Sequence, residues 1–224
     1  NKLEKIASIK IIDEKNAEIA VRFIASGLEA VSYKNYFEEV TDQEEIVAMV
    51  KNHLKFEYFD AKIEDLKHFE SKEKKGAYEL SFVIKTDSMV RFIDSKTISV
   101  ETNPFFNYTS FSIDVLYKDE RKQPLIINHP STVTTENTVK LSPALGAVKV
   151  VPKNIEISID KDLRYKREIK SIDAGTLSYK DEFIVENFLI SGAKFTELKH
   201  MVKEMYKKSS NVVVETNNAA VSQR

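Results

Sequence analysis

The stretch LEKIASIKIIDEKNAEIAVRF, residues Leu3–Phe23, sets the class of the fold. Apolar residues recur through its first half, and after the polar run Asp13–Asn16 the residues Ile19, Val21 and Phe23 alternate with charged or small ones. Asn tolerates the left-handed backbone of a tight turn, and a period of two places one apolar face of a strand toward a core. The stretch therefore predicts a β-hairpin.

Further strand-like runs follow along the chain, each with alternating apolar and polar residues and with turn signals between them. They are 61–69, 77–85, 88–100, 125–128, 132–141, 148–151 and 155–159, followed by a hairpin of 164–172 with 176–188 and a last strand at 212–214. Pro130, Pro143, Gly146 and Pro152 punctuate the later runs at a spacing typical of an antiparallel sandwich.

Two segments have the period of an amphipathic helix instead. In the first, Thr41 with Glu44 fits a capping box, and apolar residues then lie on one face of a helix that ends at about Lys55. The second begins near Phe195 and runs to about Lys208. The segment 28–40 is too short and irregular to assign.

The predicted fold is mainly β, with β-sandwich-like antiparallel sheets and two amphipathic helices, and it can also be classed as α+β. We expect two subdomains. Residues 1–122 form a β-rich part with one helix, and residues 123–224 form a sandwich-like part with the C-terminal helix. The 224 residues, 42% of them hydrophobic, are enough for a packed core.

Composition excludes several classes of function. The 34 basic and 35 acidic residues give a net charge of −1, so no overall field attracts nucleic acid or an anionic membrane. No apolar run approaches the roughly 20 residues that span a bilayer. The opening Asn1–Glu4 holds neither an initiator Met nor a basic-then-apolar leader, which indicates a truncated or processed start. The absence of cysteine excludes disulfides, thiolate metal sites and cysteine nucleophiles.

The stretch from Ile113 to Pro143 carries a resemblance to a known family. A charged Glu120-Arg121-Lys122 with Pro124 leads into the apolar Leu125–Ile127, and Pro130, a polar strand and the short Leu141-Ser142-Pro143 follow. This pattern resembles the β-rich domain of unknown function that follows the catalytic core in bacterial transglutaminase-like proteins. The closing hairpin, glycine loop, helix and aliphatic strand also match the end of that region.

The resemblance implies a non-catalytic accessory domain, whose partner is the catalytic core of the same polypeptide, and a periplasmic or cell-surface location. The core of that family uses Cys, His and Asp, with a thiolate as nucleophile. Because this chain has no Cys, no catalytic residue carries over to it.

The residues themselves suggest no enzyme, cofactor or metal site. No G-x-S-x-G elbow or glycine-rich phosphate loop is present, although a Ser-His-Asp triad built from distant residues stays open. His53 and Glu57, four apart, could share a metal with His68, but a solvated helix end is the favoured interpretation because no recognised ligand spacing occurs. We expect His129 in a loop and His200 on the polar side of the second helix.

An aromatic cluster is the one candidate interaction surface. Phe105, Phe106 and Tyr108, with Phe111 nearby, could stack on a sugar or dock a protein. The competing interpretation is a core position at the junction of the two halves, since apolar aromatics are usually buried. The main functional hypothesis is the accessory domain, and the alternative is a free-standing envelope module that binds a glycan or a peptide.

Overall fold

The computed structural model describes residues 1–55, 58, 60–105, 122–126, 130–159, 162–186, 189–206 and 211–216. Within them the protein is mainly β with three α-helices, which confirms the predicted fold class. The strands are β1 Lys2–Ile11, β2 Ala17–Ser26, β3 Lys62–Glu70, β4 Ala77–Thr86, β5 Val90–Phe92, β6 Thr97–Val100, β7 Leu125–Ile126, β8 Ser131–Leu141, β9 Ala147–Val150, β10 Ile155–Ile159, β11 Leu163–Ser171, β12 Thr176–Val185, β13 Leu189–Ile190 and β14 Val212–Glu215. The helices are α1 Leu28–Glu39, α2 Gln43–Lys51 and α3 Phe195–Tyr206.

Eight strands form one sheet in the order β10-β11-β12-β8-β1-β2-β4-β3. Adjacent strands in this sheet are antiparallel except for β1 and β8. These two run parallel, with Lys2 opposite Thr132 and Ile11 opposite Leu141. Strands from both predicted subdomains therefore contribute to the same sheet, and the division at Lys122 stays a prediction.

The predicted first hairpin is confirmed, and the period of two decides which side chains point inward. Leu3, Ile9 and Ile11 are buried, whereas Ile6 falls on the opposite phase and is 39% exposed. The same phase turns Lys5 inward, so an ammonium group lies among the apolar residues of β1. At the sheet edge, β3 is interrupted by a bulge in which Asp65 has a φ of 53°.

The helix α2 begins at Gln43, two residues after its predicted N-cap at Thr41. Its N-cap is Asp42, whose carboxylate accepts a hydrogen bond of 2.8 Å from the backbone N–H of Glu44. The predicted capping box at Thr41 is therefore wrong, because the Asp42 carboxylate already accepts from the amide in the first turn. The unassigned segment 28–40 contains α1, which packs Tyr33 and Phe37 on the sheet.

The inner face of the sheet is covered by two hydrophobic clusters. The first holds α1, α2 and a four-stranded sheet, β5-β6-β14-β9, whose Val100 and Val214 are completely buried. The second is built by α3, whose Leu198 and Met201 pack with Phe183 of β12. The predicted continuous strand 88–100 is in fact the hairpin β5–β6, because Ile93 donates its backbone N–H to the carbonyl of Thr97. Among the described residues no helix combines the length and the apolar character needed to cross a bilayer.

Candidate functional site

Of the three aromatic residues predicted as an interaction surface, the structure describes Phe105. Phe105 is completely buried, and its ring meets that of Phe23 edge-on with centroids 5.3 Å apart. It is therefore a core residue and cannot serve as exposed surface, because its neighbours enclose it on every side. Phe106 and Tyr108 lie outside the described residues, so the hypothesis for these two positions stays a prediction.

The histidines considered as metal ligands have separate partners. His53 Nε2 lies 2.9 Å from the hydroxyl of Tyr33, and His68 Nδ1 lies 3.0 Å from the hydroxyl of Tyr78. Glu57 and His129 are outside the described residues. The part of the chain that the structure describes holds no group of three His, Asp or Glu side chains placed to bind a metal. His200 is exposed on α3, as predicted.

A polar belt crosses the inner face of the sheet between the two hydrophobic clusters. We define it as seven buried polar side chains: Lys5, Asn103, Thr135, Asn137, Arg167, Tyr179 and Asp181. Strand register sets four of them in one row, because Thr135 lies opposite both Lys5 and Asp181, and Asp181 lies opposite Arg167. The belt thus runs across β1, β8, β12 and β11.

Hydrogen bonds connect the belt across the strands. The Tyr179 hydroxyl donates to Asp181 Oδ2 at 2.6 Å and accepts from Asn103 Nδ2 at 3.1 Å. Asn137 Nδ2 donates to the carbonyl oxygen of Thr102 at 2.9 Å. The belt therefore holds the segment before Phe105 against the centre of the sheet.

Burial shifts the pKa values of side chains in the belt. It raises the pKa of Asp181, and hydrogen bonds from Tyr179 and Thr135 oppose that rise. It lowers the pKa of Lys5 to about 8, although the Asp181 carboxylate opposes the shift. Burial, followed by the charge of Asp181, raises the pKa of the Tyr179 hydroxyl. These shifts share one cause, which is the removal of charged forms from water.

The same burial lowers the pKa of His53 to about 3, and the positive charge of Lys5 adds to the effect. The ammonium of Lys5 lies 5.9 Å from the ring centroids of both Phe23 and Phe105, where the aromatic quadrupoles attract it. His53 also meets Phe23 edge-on at 5.3 Å. The amine and the imidazole are thus packed around one aromatic ring.

Displaced pKa values commonly mark acid–base sites, but only where a substrate has access. Lys5 is 0% and Asp181 is 7% exposed, so little of either residue is accessible to a substrate. In the described structure the belt acts within the protein, because its hydrogen bonds and charge attraction join the strands. We interpret the belt as the structural link between the two hydrophobic clusters.

Sequence reasoning missed the belt, although a signal was present. Each strand of the belt carries a polar residue in the phase that otherwise holds apolar ones. Lys5 lies between Leu3 and Ala7, and Asp181 lies between Tyr179 and Phe183. A charged residue in the inward phase of several strands predicts a buried network once the strands are known to be neighbours.

The opposite face of the sheet, which we call the outer face, is exposed along its central rows, and at one corner the turn between β3 and β4 covers it and buries Glu79. In the described ranges the helices and the four-stranded sheet pack only on the inner side. A central row of small residues crosses the outer face, with Ser8 opposite both Ala20 and Thr138. Beside this row Glu136 and Lys180 form an ion pair of 3.3 Å. The surface is polar and carries both signs of charge, and a pocket of ≈ 220 Å³ lies beside the Glu136–Lys180 pair.

Comparison of the chain with protein-family models, curated proteins and solved structures finds no match. The structural class of the protein is therefore assigned from its own secondary structure and packing. It is a β-rich α+β domain with a polar belt in its core and one open sheet face.

Proposed function

We propose that this chain is a non-catalytic accessory module of a larger transglutaminase-like protein, and that it packs against the catalytic core through the outer face of its eight-stranded sheet. The resemblance in Ile113–Pro143 and the closing segments supports the family and the bacterial envelope location. The open outer face supports the mode of contact. In this proposal the belt contributes stability and no chemistry, which agrees with the burial of Lys5 and Asp181.

The single observation that carries the proposal is the extent of the outer face. Eight strands at about 4.8 Å spacing, most with nine to eleven residues at about 3.3 Å rise, give a surface of roughly 1,000 Å². A standard protein interface takes about 800 Å² from each partner. Mixed charges around the row of Ser8, Ala20 and Thr138 suit a polar interface, because they fix the orientation of a complementary partner.

The coding sequence upstream of Asn1 gives the first test. The proposal expects an open frame that encodes a core with Cys, then His, then Asp. A stop codon or a signal peptide directly before Asn1 would contradict it and would favour the free-standing glycan-binding or peptide-binding module.

Binding of the separately expressed core to this chain gives the second test. We expect a stable complex in titration calorimetry, and Ala20→Arg should weaken it at least tenfold because a long side chain in the row of small residues holds the partner away. The matched control is Ala147→Arg, on an exposed position of β9 in the other sheet. Equal effects of the two variants, at unchanged melting temperature, would rule out the outer face as the contact.

A further inference from the structure

The two edges of the eight-stranded sheet are built differently. At one edge, β3 carries the bulge in which Asp65 has a φ of 53°, and a bulge of this kind hinders the pairing of a further strand. At the other edge, β10 stays in unbroken register with β11 from Ile155 to Ile159. In the described part of the chain no strand lies on the other side of β10, and no backbone hydrogen bond reaches it from there.

The edge strands of the four-stranded sheet are shorter or less regular. The strand β5 has three residues, and β9 pairs with β14 across a register shift between Val213 and Val214. Among the edge strands that the structure describes, β10 therefore has the longest run in unbroken register. Such an edge accepts a further strand through main-chain hydrogen bonds, and the alternating side chains decide which strand fits.

The strand β10 alternates apolar and polar residues symmetrically about its centre. Its five residues are, in order, Ile155, Glu156, Ile157, Ser158 and Ile159. The three isoleucines face inward, because their partners on β11 are buried. Ile159 is buried, whereas Ile155 and Ile157 are half-buried against the second hydrophobic cluster. A further strand on the free side would complete the burial of these two side chains.

An antiparallel copy of the same strand fits this pattern. With Ile157 opposite the same residue of a second copy, Ile155 lies opposite Ile159 and Glu156 lies opposite Ser158. Residues directly opposite each other share a face of the sheet, so all the isoleucines of both copies then face inward. The two copies are related by a twofold axis at Ile157, and twofold symmetry is the commonest in homo-oligomers.

The charges on the other face are compatible with this pairing. Glu156 is the one charged residue of β10, and in this register it meets the uncharged Ser158 of the second copy. On β11, Lys166 lies opposite Glu156 and Arg164 lies opposite Ser158. Arg164 also pairs with Glu186 at 2.7 Å. No two like charges therefore lie opposite each other at the joint, which is a condition for a strand to pair with itself.

We propose that two copies of this chain associate through β10, by antiparallel pairing of Ile155–Ile159 with the same strand of the second copy. The joint extends each sheet sideways and does not cover its outer face. Ala20, the position that tests the proposed function, lies on β2, five strands from β10, which corresponds to about 24 Å. The inference therefore does not depend on the proposed function.

Sedimentation equilibrium of the folded chain gives the first test. Five residues from each copy make a small interface, so we expect a dimer with a Kd on the order of 100 μM. Ser158→Glu places a carboxylate opposite Glu156 at two symmetric points and should weaken the dimer about tenfold at low salt. Within one copy this carboxylate faces Arg164, so we expect the fold to be kept. The control Ser95→Glu, at an exposed turn of the other sheet, should leave the dimer unchanged.

Charge reversal tests the register. In Glu156→Lys/Ser158→Glu the substituted side chains carry opposite charges across the joint, so the Kd should return to within about threefold of wild type. Isotope-filtered NMR on a mixture of labelled and unlabelled chains should show contacts between Ile157 side chains of the two copies. Melting temperatures confirm that each variant is folded.

Four results would overturn the proposal. The first is a chain that stays monomeric up to about 1 mM, ten times the expected Kd. The second is an equal effect of Ser158→Glu and Ser95→Glu. The third is a folded double variant that does not recover the dimer. The fourth is a dimer that Ala20→Arg dissociates and Ser158→Glu does not, which would assign self-association to the outer face.

Discussion

Lys5 and Asp181 lie on the same inward row of the sheet, two strands apart, with Thr135 between them. Each is removed from water, and each partly offsets the cost of burying the other's charge. A buried cation and a buried anion make the stability of the protein sensitive to pH, because their pKa values differ between the folded and the unfolded chain.

The pH dependence of unfolding should reveal Lys5. Its pKa is about 8 in the folded protein and 10.5 in the unfolded chain, so between these values the unfolded chain binds more protons and stability rises with pH. Relative to Lys5→Met, wild type should gain about 3 kcal/mol across this window. Urea unfolding at several pH values measures the difference, and parallel curves for the two proteins would contradict the assignment.

The hydroxyl of Tyr179 should stabilise the folded protein through its hydrogen bonds and not through packing. Tyr179→Phe removes the group that joins Asn103 to Asp181, and we expect a loss of about 1–2 kcal/mol in the free energy of unfolding. Tyr36→Phe is the matched control, because its hydroxyl makes an exposed contact of 3.4 Å with the carbonyl of Glu45. Equal losses in the two variants would show that the buried hydroxyl of Tyr179 contributes no more than an exposed one.

Substitution of Phe105 should behave as a core truncation. Phe105→Ala removes a completely buried ring that packs on Phe23, so we expect the free energy of unfolding to fall by about 3–5 kcal/mol. Phe92→Ala, at a ring that is 46% exposed, should cost less than about 1 kcal/mol. A Phe105→Ala protein that keeps wild-type stability would restore this residue to the surface hypothesis.

Cleavage of the chain between the two predicted subdomains should leave them associated. A protease site inserted between Tyr117 and Lys118 divides the chain, but β1 stays paired with β8 and β6 with β14. We expect one species in size-exclusion chromatography and two fragments after denaturation. Separate elution of the folded fragments under native conditions would support independent subdomains divided at Lys122.

Local structure could be predicted from the sequence, because it depends on periodicity within a segment. The first hairpin, the hairpin of β11 with β12 and the helix α3 follow directly from alternation or from spacings of three and four. The helix α1 escaped this approach, because its exposed Leu28 and Val31 blur the apolar stripe.

Strand order and the belt depend on contacts between residues far apart in sequence, which periodicity does not encode. Nothing local to Lys2 indicates Thr132 as its partner, and without that pairing Lys5 has no visible relation to Asp181. The belt was therefore missed for the same reason as the topology.

The parallel pairing of β1 with β8 has a consequence for biosynthesis. A ribosome completes β1 and β2 long before it reaches Ser131–Leu141, so one side of β1 waits with its backbone donors and acceptors unsatisfied by their final partner. Non-local pairing of this kind slows folding and exposes nascent chains to aggregation. A translation pause before Ser131 would thus present the free edge of β1 to neighbouring chains on the same polysome.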